Sequence, residues 1–226
     1  MVDRFHPGLG DVAWNLQKAR TSIIIAVFLA PFLTSSSVLA QLSFSQEELM
    51  SLPRTCQAQQ FIHDEIQYPV TTEAERKHLL TVLGPDFMHY HHFCYGLMLV
   101  RRANTTDQPQ WRLSVYNEAV NNFEYVIRNA KSSFALLPEV HLQKGLALRL
   151  LSNHSAAARE FFNALRSKPS YTPAYAALID YYLDLGNPAE ARKMLETGLK
   201  HAPGSKLLAE KRKAIEESEA RQNSNK

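Results

Sequence analysis

The densest set of chemistry-bearing side chains in this 226-residue chain is His89-Tyr90-His91-His92-Phe93-Cys94. On a helix His89 and His92 share a face at a spacing of three, and such a pair holds copper or zinc when a third ligand such as His63 or His78 approaches. A second reading needs no metal. In it His92 packs in place of an aromatic ring, His89 and His91 lie at or near the surface, and Cys94 is bridged. Two imidazoles without a defined third ligand make a poor site, so the packing reading is preferred, no metal or cofactor is expected, and metal handling by His89 and His92 is kept as the alternative. Phosphate loops, nucleophile elbows, H-E-x-x-H and paired-cysteine spacings do not occur, so no catalytic residue is assigned and the chain is read as a non-enzyme.

The two cysteines, Cys56 and Cys94, stand outside any C-x-x-C spacing, which removes thioredoxin-like redox chemistry and covalent haem attachment. A disulfide between them is expected if the chain enters an oxidising compartment; buried thiols or a metal site are the alternatives. The first forty residues point to export. Arg4, Lys18 and Arg20 precede the apolar run Ile23 to Leu33, and the small residues of Val38-Leu39-Ala40 follow. That order predicts a signal peptide over 1–40 with cleavage before Gln41, a periplasmic location, and no membrane insertion afterwards. The run is shorter than a spanning helix needs and Pro31 interrupts it, so a retained anchor is the lesser alternative. Loss of three basic and two acidic residues lowers the net charge from +3 to about +2, so the basic balance identifies no partner, and nucleic acid is not expected for an exported chain.

The elements that must position these residues show a period of 34 residues in the C-terminal half. His141, Lys144, Gly145, Leu148, Ala157, Phe161 and Pro169 recur as Tyr175, Leu178, Ile179, Tyr182, Ala191, Leu195 and Pro203. Small residues let two antiparallel helices approach closely, large ones fill the space beside them, and the proline ends the second helix. Asn187-Pro188-Ala189-Glu190 reads as a cap, a first-turn proline and a capping acid, with Asn153 in the same place one period earlier. A looser copy lies upstream in His92-x2-Tyr95-Gly96-x2-Leu99 and Ala119-x3-Phe123. Its halves stand too far apart, and the turn-forming composition of 103–110 predicts an inserted loop there.

These positions follow the aromatic-x2-Leu-Gly-x2-Tyr…Ala-x3-Phe…Pro pattern, and residues 89–205 resemble the tetratricopeptide repeat family in three units, the first degenerate. The segment from Pro53 to Gly96, with its Cys- and His-rich helix, resembles exported bacterial repeat proteins, so the chain is read as an exported bacterial protein of tetratricopeptide type. The resemblance implies an all-α, short right-handed solenoid of antiparallel helix pairs. An N-terminal helical region (41–88) would pack on one end, with helices over Pro53 to Ile66 and Glu73 to Leu83, and a capping helix and frayed tail (206–226) on the other. Asn104 and Asn153 lie in glycosylation sequons and are read as a loop residue and a helix cap.

In such a stack the first helices line a concave face that takes an extended peptide or a partner helix. The register projects Tyr90, Phe93, Leu97 and Arg101 onto that face from the first unit. Leu142, Leu146 and Arg149 follow from the second, and Ala176, Asp180 and Leu183 from the third. The expected function is that of a periplasmic scaffold that binds a protein or peptide in this groove while an envelope system is assembled.

Overall fold

The computed structural model describes residues 44–63 and 71–224, so the expected signal peptide of 1–40 lies outside the described residues. Ten α-helices and one 3-10 turn make up the described fold, with no strand among these residues. None of the helices is long and apolar enough to cross a membrane.

Two short helices, α1 (Gln46–Ser51) and α2 (Arg54–His63), open the described chain. The first was not foreseen, although its signal is legible. The Ser45 hydroxyl accepts from the Glu48 amide at 3.2 Å while the Glu48 carboxylate accepts from the Ser45 amide at 2.9 Å, a reciprocal cap. Helix α3 (Glu73–Leu83) starts on the Thr72 hydroxyl and stops at Gly84, whose φ of 75° suits glycine. A 3-10 turn (Pro85–Tyr90) then leads into α4 (His91–Thr105). The His-rich stretch therefore crosses a helix junction, and His89 and His92 do not belong to one continuous α-helix.

Three antiparallel pairs follow: α4 with α5 (Pro109–Asn129), α6 (Leu137–Leu150) with α7 (His154–Ser167), and α8 (Thr172–Asp184) with α9 (Pro188–His201). Asn153 and Asn187 cap α7 and α9 through their side-chain oxygens, in the places where the period puts them. Helix α10 (Lys206–Ser224) packs on α8 and α9 through buried Leu208 and Ile215. The helix runs to Ser224, into the tail of 221–226 expected to fray.

Each pair is set by one close approach. A Cβ placed on Gly145 would stand 2.4 Å from the Phe161 ring, and one on Gly96 the same distance from Phe123. In the third pair Ile179 replaces the glycine and Leu195 the phenylalanine, both fully buried. A larger first-helix residue is matched by a smaller second-helix one, so the volume of the contact is conserved.

The inserted loop expected at 103–110 does not exist. Helix α4 continues to Thr105 and α5 begins at Pro109, so residues 106–108 form a three-residue connection as long as 151–153 in the next pair. The extra residues lengthen both helices. Proline at the first helical position supports a helix start there, Ala103 and Val115 are buried along the extension, and the Tyr116 hydroxyl donates to Asn104 at 2.5 Å across it.

Ala191 has no exposed surface, whereas Lys200 on the same helix is exposed. Ala191→Trp is therefore expected to lower the stability of the C-terminal pairs by about 1–3 kcal/mol, the usual cost of overpacking. Lys200→Trp should change it by less than about 0.5 kcal/mol. Urea unfolding of the two variants measures both, and equal losses would overturn the register.

Candidate partner-binding face

The first helices α4, α6 and α8 carry the residues projected onto a groove, and their burial divides them. Leu97, Arg101, Leu146, Arg149, Asp180 and Leu183 retain exposed surface. Tyr90 and Phe93 do not: both are fully buried and must be struck from the groove. Phe93 stacks on Tyr90 at 4.5 Å and meets Phe123 at 5.6 Å, so it points toward the second helix of its own pair. The Tyr90 hydroxyl donates to Glu139 at 3.1 Å; burial, with the Glu139 charge beside it, holds that phenol well above its usual range. Leu142 and Ala176, at the same register position as Phe93 in their own units, are 8% and 6% exposed, so they too are core residues. The projection set one helical position of each unit on the face when it turns inward between neighbouring helices.

Two of the remaining charges already have partners. A guanidinium nitrogen of Arg149 lies 2.8 Å from the Asp184 carboxylate, linking α6 to α8. The Lys211 ammonium lies 2.6 Å from both oxygens of Asp180, linking α10 to α8. Between α4, α6 and the start of α7 a cleft of about 430 Å³ opens, lined by Val100, Gln143, Leu146, Arg149, Leu150 and His154. Val100, Gln143, Leu150 and His154 were not singled out from the sequence. Leu150 stands at the register position of Arg101, and a leucine left 46% exposed there is the signal that marks the cleft.

His89 and His92 pack as an aromatic group around Tyr125. The His92 Nδ1 lies 2.8 Å from the Asn122 side-chain oxygen, and its ring packs on Tyr125 at 3.7 Å with His89 edge-on to the same ring. No group of three or more His, Cys, Asp or Glu side chains gathers around one point among the described residues. Cys56 and Cys94 form a disulfide that joins α2 to α4, with both residues fully buried.

One polar network sits inside the stack. The departures His141 and Lys144, which stand where the repeat pattern wants an aromatic and a leucine, meet Glu160 of α7. The imidazole Nδ1 donates to one carboxylate oxygen at 2.7 Å and the ammonium to the other at 2.8 Å, and Lys144 also bonds Glu124 of α5. Burial raises the Glu160 carboxyl, but the hydrogen bonds from His141 and Lys144, helped by both charges, outweigh it and hold the group at about 2. Burial acts against the Lys144 ammonium in the same way, and its two carboxylate partners raise its pKa despite that.

A carboxyl whose pKa is lowered on folding stabilises the fold above its unfolded pKa and loses that contribution as pH falls toward the folded one. For Glu160 this window runs from the ordinary 4.5 down to about 2. After allowance for solvent screening the contribution is on the order of 1–2 kcal/mol. The stability gap between the parent and Glu160→Gln should therefore narrow by about that amount between pH 5 and pH 2 in urea titrations. A gap that stays constant would mean the carboxylate charge is not what the network holds.

Residues 148–215 match the tetratricopeptide repeat family, a span from the end of α6 into α10. Among solved structures, the first tetratricopeptide domain of Spaghetti (RPAP3), bound to the HSP90 peptide SRMEEVD, is similar to this chain at 20% identity. Its TM-score is 0.40, and the match covers 55% of this chain and 95% of that one. No curated protein matches. The chain is an all-α, tetratricopeptide-like solenoid.

Proposed function

We propose that this protein is a non-catalytic scaffold that binds a peptide or partner protein on the face of α4, α6 and α8. The observation that carries the reading is the cleft of about 430 Å³ beside partly exposed Leu146, Leu150 and Arg149, set on a stack of tetratricopeptide type. A stack of helix pairs buries one side of each pair against its neighbours and leaves the first-helix face open, which is the fold's usual receiving surface. The work we assign to it is assembly or stabilisation of an envelope system in the bacterial periplasm. The order of residues 1–40 and the Cys56–Cys94 bridge both favour an oxidising compartment reached by export.

Leu150→Lys places a charge in the open cleft without entering the core, so it should leave the melting temperature nearly unchanged. It should also lower recovery of the native partner in pull-downs from the envelope fraction of the source cell at least about tenfold, the scale of an interface anchor. Full recovery with Leu150→Lys, together with loss on a convex-face change such as Phe162→Lys, would place binding elsewhere. Intact mass from the same cells tests the address: a chain beginning near Gln41 is expected, and a full-length cytoplasmic species would refute export.

A further inference from the structure

The cleft lies between α4, α6 and the start of α7. Helix α4 runs four residues past Arg101, to Thr105, whereas α6 ends at Leu150, the register equivalent of Arg101. Val100 of α4 lines one side of the cleft, Leu146 and Leu150 of α6 another, and His154 at the start of α7 a third; the residues of α4 beyond Arg101 are not in the lining. The three apolar side chains would suit one apolar anchor. Arg149 is the one formally charged side chain of the lining, beside neutral Gln143 and His154, and no carboxylate is in it.

Arg149 is held by Asp184, but lightly. Their side chains are 29% and 57% exposed, and a single 2.8 Å contact joins them. Exposed pairs of this kind contribute only about 0–1 kcal/mol, so a carboxylate brought by a ligand can displace Asp184 at little cost. Arg149 presents several donors in a planar fork, the geometry that suits carboxylate recognition.

Resting on the scaffold reading above, we propose that this cleft receives an acidic amphipathic peptide, whose apolar side chain fills the space between Val100, Leu146 and Leu150 while an adjacent carboxylate takes Arg149 from Asp184. Asp184 is then an internal stand-in for the ligand. This makes a directional demand that a merely structural ion pair does not: removing Asp184 must strengthen binding, and removing Arg149 must weaken it.

The test pans a random dodecapeptide display library on the purified chain and measures the enriched peptides, fluorescently labelled, by anisotropy against four proteins: the parent, Arg149→Gln, Asp184→Asn and Leu150→Lys. Enriched peptides should pair a large apolar residue with a nearby Asp or Glu. Affinity should fall about tenfold or more with Arg149→Gln, rise about threefold or more with Asp184→Asn, and weaken with salt, as expected of a charge-assisted contact. Enrichment of basic or uncharged peptides, or indifference to both Arg149→Gln and Asp184→Asn, overturns this inference alone if Leu150→Lys still abolishes binding. Peptides that bind Leu150→Lys as well as the parent, or a library that yields none, overturn the scaffold reading with it.

Discussion

Lys144→Leu alone should destabilise the protein by about 3 kcal/mol, at the lower end of what removing one partner from a buried ion pair costs. The Lys144 ammonium lies between Glu124 and Glu160, its side chain 13% exposed, and its loss leaves Glu160 with His141 as its remaining strong partner. The chain contains its own control. One period later His141, Lys144 and Glu160 are Tyr175, Leu178 and Met194, and that apolar set packs the third pair. Transplanting it, as His141→Tyr with Lys144→Leu and Glu160→Met, removes the charges together and leaves Glu124 to Arg128, 2.8 Å away. Because a buried charge network costs desolvation that apolar packing does not, the triple variant should match the parent or exceed it by up to about 2 kcal/mol. Urea unfolding at neutral pH separates the cases. A triple variant as weak as the single one would show that the three residues act separately.

That network shows what the sequence makes legible and what it hides. His141 and Lys144 are visible as departures from the period, and Glu160 is visible too once it is read against Met194. Three polar replacements in one unit at packing positions are a set, whereas each alone looks like noise. The helix pairs are legible because Gly145 with Phe161 and Ile179 with Leu195 alternate size across the same contact, and the caps at Asn153 and Asn187 mark where second helices start.

The groove was harder to read. A register fixes which turn of a helix a residue occupies, but not how neighbouring helices close over it. Phe93, Leu142 and Ala176 therefore fall inside the stack, and Tyr90 is further covered by the loop residue Phe134 and by Glu139, 49 residues on. Residues 103–110 misled for a related reason. Asn, Thr, Asp and Pro are turn-formers taken singly, yet only 106–108 turn, since burial of Ala103 and Val115 holds both helices together beyond the point where the local preference would break them.

The bridge between Cys56 and Cys94 should carry the other large effect. The two residues lie 38 apart in sequence, and a cross-link of that span removes unfolded-state freedom equivalent to about 4 kcal/mol in the chain-entropy model. Apolar packing also ties α1 and α2 to the stack, with Leu52 buried in the same core cluster as Phe87, Tyr90 and Phe93, and polar and ring contacts add to it. Glu48 takes a paired contact from Arg102, Phe44 stacks on Tyr95 at 5.1 Å, and the Gln59 amide donates to the Met88 carbonyl at 3.2 Å. The Glu48 and Arg102 side chains are each more than a fifth exposed, so that pair cannot replace a covalent link. Replacing Cys56 with Ala is expected to lower stability by about 2–5 kcal/mol. The loss should be local first: amides of α1 and α2 should exchange faster with solvent while those of α6 to α9, which rely on Phe161, Leu178 and Leu195, keep their protection. Because both cysteines are fully buried, reductant should act on the parent only through unfolding, so reduction should be slow in water and accelerate with urea. Free-thiol titration of the unfolded, unreduced parent should find none. Two free thiols, or an unfolding midpoint that Cys56→Ala leaves in place, would mean that the N-terminal helices are held by packing alone.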